Sequence, residues 1–408
     1  MRRDVIALVQ AGGAGSRMDV LTRERAKPVL PYAGTHRLVD FPLSSLVHSD
    51  VNDVWVSVEY QVVSIDEYLS GGKPWDLDRN RGGFRRIVPQ TGSGPPTEQG
   101  FAAGNGDLLL RNVRALQSRA PEHVIVLSAD HVFAEDLAAV VDQHVESGAD
   151  LTMVTAEVSK REASQNVVVD VDGSGTVRGV TEKPPRPESG TVATEMFVYR
   201  TSTLIDTLRD LRRDLQHEAD SEDGDSGLGD FGEHLVPRLI EQADVRAVPV
   251  QGYWRDVGRP SAYLQSHRDL LAGRVDVFDH RDRPVITKWQ DRTAALVRPG
   301  AEISDSLLSP GAEVAGTVVD SVIGPGAVVE RGAHVEDSVI FGDVVVRRGA
   351  RVRTAVLDER CEVRRGAVVG ADPRGRVARE EDLVVVGRDT VCGGELEPGA
   401  RLEPGTRC

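Results

Sequence analysis

Short apolar runs separated by amphipathic stretches dominate the first two thirds of the chain. Val5-Ile6-Ala7-Leu8-Val9, Val124-Ile125-Val126-Leu127 and Leu151-Thr152-Met153-Val154 are of the kind buried on both faces of a parallel sheet. Between the last two, Asp136 to Val145 carries Leu137, Val140, Val141 and His144 at helical spacing, which predicts a helix. Strands alternating with helices from residue 1 to about 270 argue for an α/β layer fold with an open, mostly parallel sheet. The acidic, Gly- and Ser-rich stretch from Glu218 to Gly229 reads as a solvated or locally disordered loop.

After about Val285 the texture changes. Aromatics nearly vanish, and Gly-Ala-x-Val recurs at Gly311, Gly326, Gly332, Gly349 and Gly366. Asp-Ser recurs at Asp305, Asp320 and Asp337, spacings of 15 and 17 residues. With sub-spacings of about six, this suits three short strands per coil of a parallel β-helix. A β-sandwich would show alternation without a fixed repeat. The chain thus divides into a domain at 1–270, a linker at 271–295 and a β-helix at 296–408. Arg347, Arg348, Arg351, Arg353, Arg364 and Arg365 form a strip expected to face solvent, offset by acidic neighbours, with an anionic effector site as the alternative reading.

A length of 408 residues suits two domains, and 40% hydrophobic with 28% charged residues is ordinary for a soluble globular protein. No signal peptide or bilayer-length apolar run stands out, so a cytoplasmic location is expected. Cys361, Cys392 and Cys408 match neither a disulfide framework nor a zinc pattern. The net charge of -15 argues against nucleic acid as a partner, so an anionic substrate must meet a local basic site.

Such a site begins at the first strand. Val5 to Gln10 runs into Ala11-Gly12-Gly13-Ala14-Gly15-Ser16-Arg17, and Lys27-Pro28 follows. Glycines admit a polyphosphate to backbone N–H groups, and Arg17 and Lys27 neutralise its charge. The loop is neither a Walker sequence nor GxGxxG. Asp130 ends the apolar strand Val124 to Leu127, where open α/β sheets bind ligands; it would hold Mg²⁺ or merely cap the next helix. Tyr253-Trp254-Arg255-Asp256-Val257-Gly258 offers a second carboxylate, and two Asp residues sharing one metal suit displacement at phosphorus. Glu182-Lys183-Pro184 offers a cation for a sugar phosphate, or a surface lysine before a Pro-rich turn. His131 and His234 read as packing or helix-start residues.

Taken in order, these motifs resemble the sugar-nucleotide pyrophosphorylases, and among them the glucose-1-phosphate adenylyltransferases. Arg25-Ala26-Lys27-Pro28, Arg37-Leu38-Val39-Asp40-Phe41-Pro42-Leu43-Ser44, Asp230-Phe231-Gly232 and the repeat region add to the resemblance. It implies a Rossmann-like nucleotidyltransferase domain followed by a left-handed parallel β-helix. The implied reaction joins ATP and glucose 1-phosphate into ADP-glucose and pyrophosphate, toward glycogen. Arg17, Lys27 and Asp130 would be catalytic, and Asp130 and Asp256 would hold Mg²⁺. Ala11, Gly12, Gly13, Gln90 and Gly104 would meet the nucleotide. Glu182, Lys183, Val167 and Glu195 stand at the positions that meet the sugar phosphate. The family is commonly homotetrameric and allosteric, and a paralogous subunit is a further implied partner.

Departures from the pattern cluster at the sugar. Gly104-Asn105-Gly106-Asp107-Leu108 replaces Gly-Thr-Ala-Asp-Ala, Asn166-Val167 replaces Phe-Gly, and Ala193-Thr194-Glu195 replaces Ser-Met-Gly. Gln10 replaces an aliphatic residue, and Glu24 stands where a basic residue is common. A Glu195 facing a sugar phosphate would repel it. Two alternatives follow: a nucleotidyltransferase for another sugar 1-phosphate, and a non-catalytic regulatory paralogue.

Overall fold

A computed structural model describes residues 4–13, 15–88, 102–216, 226–278, 280, 282–371 and 379–408. The apolar runs form the middle of a nine-stranded sheet. Val5–Gln10 lies between Asp53–Ser57 and His123–Ser128, parallel to both, and Gly83–Ile87 extends this parallel half. Thr191–Arg200 then runs antiparallel to His123–Ser128 and to Leu151–Glu157, which pairs in parallel with Val245–Pro249. The hairpin Val167–Val171 and Val177–Glu182 completes that side.

Alternation along each strand sends neighbours to opposite faces. Ala7, Val9, Ile125 and Leu127 enter one core with Leu43, Leu137 and Val140. Ile6, Leu8, Val124 and Val126 enter another with Leu109, Leu204, Leu208 and Leu235. The helix expected from Asp136 spans Leu137–Ser147, and the Asp136 side chain caps it by accepting from the N–H groups of Ala138 and Ala139. Asp130 is therefore not the cap. His144 lies inside, bonded through Nδ1 to Thr152 Oγ1 at 2.8 Å. The stretch expected as a solvated loop is anchored where it is described: Leu228 is buried and Ser226 Oγ donates to Asp107 Oδ1 at 2.6 Å.

From Leu296 the chain winds through three all-parallel sheets of six short strands, the arrangement of a left-handed β-helix. Val314, Val329, Val346, Val363 and Cys392 stack in register down its inside. Asp305, Asp320 and Asp337 turn the corners at φ 45°, 46° and 48°, a region that Asp enters more readily than most residues. The following serine links coils: the Oγ of Ser306, Ser321 and Ser338 accepts from the backbone N–H of Ser321, Ser338 and Ala355. That gives the recurring Asp-Ser pair a structural cause. The arginine strip faces outward as expected, with Arg347 paired to Glu330 and Glu362.

The connection after helix Pro260–Leu271 is bound to the first domain rather than free. The backbone carbonyls of Pro284 and Ile286 meet His48 Nε2 at 2.7 Å and Trp75 Nε1 at 3.0 Å, and Thr287 Oγ1 meets Tyr68 at 2.9 Å. The β-helix then lies along the first domain. Arg25 is buried between Asp358 and Glu359 with its guanidinium over the Phe341 ring. Arg268 donates to Asp337 at 2.7 Å. In the last coil, Arg401 meets Asp19 at 3.0 Å and Glu403 meets Arg23 at 3.0 Å. No helix among the described residues is long and apolar enough to cross a membrane.

Candidate active site

The first strand ends in the glycine loop, which is tied to its neighbours on both sides. Ala11 N–H donates to Ser57 O at 3.0 Å, and the Gln10 side chain donates to Asn105 O at 3.0 Å. Gln10 thus ties the glycine loop to the start of the helix Asn105–Arg111, which gives its polar side chain a structural role. Gly13 is exposed, with open space where a Cβ would stand, whereas a Cβ on Gly12 would come within 3.0 Å of Glu59 Cγ. A Cβ on Gly104 would fall 2.5 Å from the Gly229 carbonyl, so packing alone requires glycine there. Arg17 follows on the 3₁₀ segment Ser16–Thr22 and is exposed.

Three distant segments meet at the end of the central strand. Lys27, buried, donates from Nζ to Asp130 Oδ2 at 2.7 Å and lies 3.9 Å from Asp256 Oδ1. A two-stranded ribbon brings Asp256 there: Trp254–Asp256 pairs antiparallel with His131–Phe133, setting Asp256 opposite His131. Gly258 N–H donates to Asp256 Oδ1 at 2.7 Å, and a Cβ on Gly258 would crowd that carboxylate at 2.9 Å. Ser128 Oγ donates to the other oxygen of Asp130.

His131 completes the group. Its Nδ1–H donates to Thr194 O at 3.0 Å, which turns Nε2 toward Asp130 at 3.5 Å and Asp256 at 3.7 Å. Glu195 joins them: donor atoms of Asp130, His131 and Glu195 lie within 4.8 Å of one another. Burial would raise the Asp130 carboxyl, but Lys27, His131 and the hydrogen bonds from Lys27 and Ser128 hold it well below the usual range. Burial disfavours charge on His131, yet Asp130, Glu195 and Asp256 together raise it. Burial first, then Asp130 and Asp256, raises Glu195 against the pull of His131.

The positions expected to meet the sugar phosphate, other than Glu195 on Thr191–Arg200, sit on or beside the neighbouring hairpin. Val167 pairs with Glu182, and Lys183 N–H donates to Asn166 O at 3.0 Å. Lys183 is exposed and its ammonium rests on Glu182. A Cβ on Gly232 would touch Val167 at 3.4 Å and lie 3.9 Å from Glu182 Oε2, so Asp230-Phe231-Gly232 flanks the same spot. Asn166, Arg17, Asp256, Gly258, Arg255 and Arg259 share the wall of a cavity of about 580 Å³. Gln90, expected at the nucleotide base, lies outside the described residues.

Two residues at this site were not expected there from the sequence. His131, expected only to pack, both stacks edge-on against Trp254 at 5.4 Å and faces the carboxylates. Its adjacency to Asp130 was the available signal. Glu59 lies under Gly12, accepts from Ala102 N–H at 3.2 Å, and is raised chiefly by burial; no motif marks it.

Residues 6–273 match the family described as Nucleotidyl transferase, and residues 294–386 match the one described as GlmU-like, C-terminal hexapeptide. The glucose-1-phosphate adenylyltransferase of Thermomicrobium roseum is 35% identical over 355 residues, covering 80% of each chain. That of Bacillus licheniformis is 33% identical over 326 residues, 79% of this chain and 82% of the relative. That of Thermotoga maritima is 32% identical over 337 residues, 82% of this chain and 76% of the relative. With Lys27, Asp130 and Asp256 brought together beyond the glycine loop and a hexapeptide β-helix following them in sequence, the chain belongs to the nucleotidyltransferase family and, within it, to the glucose-1-phosphate adenylyltransferases.

Proposed function

We propose that the protein transfers the adenylyl group of ATP to glucose 1-phosphate, releasing pyrophosphate and forming ADP-glucose for glycogen synthesis. The meeting of Lys27, Asp130 and Asp256, drawn from segments far apart in the chain, carries this reading. A phosphate oxygen of the sugar attacks the α-phosphorus in line, a bond to the β-phosphate oxygen breaks, and pyrophosphate departs with the electron pair. Such transfers need positioning and charge neutralisation more than proton transfer.

Ala11, Gly12 and Gly13 admit the triphosphate, with Arg17 and Lys27 balancing its charge. Lys183 grips the sugar phosphate while Glu182 accepts from sugar hydroxyls. Asp130 and Asp256 offer the hard oxygen donors a divalent cation requires. The Lys27 ammonium, lying against both, stands in for such a cation and supports the fit. Mg²⁺ bound there supplies neutralisation of phosphate charge. A cytoplasmic homotetramer is the assembly proposed from the family.

A second reading, transfer to a different sugar 1-phosphate, is favoured by the valine side chain of Val167 against Gly232 and by the carboxylate of Glu195. Pyrophosphate release over a grid of nucleoside triphosphates and sugar 1-phosphates, with Asp130→Asn as blank, tests both. The strongest Asp130-dependent signal is expected for ATP with glucose 1-phosphate. Another sugar winning would establish the second reading, and silence throughout would indicate a regulatory subunit.

A further inference from the structure

Glu195 occupies a position where the backbone favours glycine. It lies within Thr191–Arg200, where the register with Leu151–Glu157 slips between Ala193 and Phe197, and it takes φ 56°. A bulge re-aims a side chain, and this one joins Asp130 and His131 at the end of the neighbouring strand.

Two further observations show how much negative charge is gathered at this spot. The Lys27 ammonium already stands between Asp130 and Asp256. The His131 side chain, 5% exposed, directs Nε2 at both carboxylates from 3.5 and 3.7 Å, beyond ordinary hydrogen-bond distance. We propose that Glu195 is a third carboxylate donor to the divalent cation held by Asp130 and Asp256, so that the protein holds this cation before the nucleotide arrives. The inference rests on the metal-dependent transfer proposed above.

Magnesium is usually held by one or two carboxylates together with substrate phosphates. A third fixed carboxylate takes the place of a phosphate oxygen and removes the need for nucleotide in the first encounter. His131, held by Thr194 O, keeps the group oriented. Glu195 is then a determinant of metal affinity and binding order, not a residue that repels the sugar phosphate.

The test is Mn²⁺ binding to the nucleotide-free full chain, with free ion read from its electron paramagnetic resonance signal. One ion per chain is expected, at least tenfold weaker in Glu195→Gln and lost in Asp130→Asn. Glu195→Gly should show the same weakening with an unchanged or higher Tm, which separates lost ligation from misfolding. Equal affinity in the native chain and Glu195→Gln, or no binding without nucleotide, would overturn the proposal. Pyrophosphate release by the native chain is the separate readout. Glu195-dependent Mn²⁺ binding without ADP-glucose synthesis keeps this inference and sinks the reaction, whereas synthesis with binding indifferent to Glu195 does the reverse.

Discussion

The Lys27 ammonium donates to Asp130 Oδ2 at 2.7 Å across 103 residues of chain. Each charge is compensated by the other, and substrate phosphates and a cation can divide the pair between them. Lys27→Gln should lower kcat by roughly 10²–10³, the cost typical of losing one donor that stabilises transition-state charge. Lys27→Arg should not restore it, because a planar fork does not replace a compact ammonium. Steady-state kinetics alongside circular dichroism checks both expectations.

Lys183 bonds to its own hairpin, through Nζ to Glu182 and through its backbone N–H to Asn166 O, and its side chain is exposed. A charge-assisted hydrogen bond is worth about 1.5–3 kcal/mol. Lys183→Ala should therefore raise KM for the sugar phosphate about tenfold or more while leaving KM for ATP unchanged. Equal changes in both constants would place Lys183 elsewhere in the reaction.

Asp40 is fully buried and accepts from Arg37 N–H at 2.8 Å and Tyr68 OH at 2.8 and 2.9 Å. Burial nonetheless pushes its carboxyl up to about 7. Unfolded, it ionises near ~4. Between these values the folded chain binds more protons than the unfolded one, so stability falls as pH rises, by up to roughly 4 kcal/mol in all. Asp40→Asn removes this slope. Urea unfolding at several pH values between 5 and 8 should show the variant gaining on the native chain up to about pH 7 and no further.

Arg25 holds the β-helix against the catalytic domain. Glu359 retains Arg37 and Arg388 if Arg25 is lost, but Asp358, almost wholly buried, loses its direct ion pair and keeps only the weaker pull of Arg388. Arg25→Met should cost about 3–5 kcal/mol, the usual penalty for leaving a buried charge unpaired. Adding Asp358→Asn should recover much of it, as thermal unfolding of the single and double variants will show.

The repeat was legible because a coil has a fixed circumference, so Asp320 and Asp337 recur at nearly constant spacing and stack. The parallel strands were legible because Ile6 to Val9 and Val124 to Leu127 are apolar on both faces. Asp130 and Asp256 were legible singly, but their meeting depends on a ribbon of three residues per strand, too short to show a pattern. Glu195 reaches its neighbours through a local slip in register, which alternation cannot reveal. The binding of the connection at Pro284 to Thr287 was hidden for another reason: much of it uses backbone carbonyls, which every residue has.

The coil that carries Arg401 and Glu403 is held at a fixed height against the first domain. Asp19 and Arg23, just beyond the glycine loop, are held by Arg401 and Glu403, while Arg268 and Arg25 fix earlier coils at Asp337 and Asp358. Successive coils are separated by about 4.8 Å, the distance between paired strands. Inserting or removing one coil between Asp358 and Arg401 would carry the terminal pair away by more than the reach of an ion pair. Solenoids ordinarily vary by duplication of their units. Here the number of turns is gauged against the segment that follows the glycine loop, so a change in coil count would be felt at that loop.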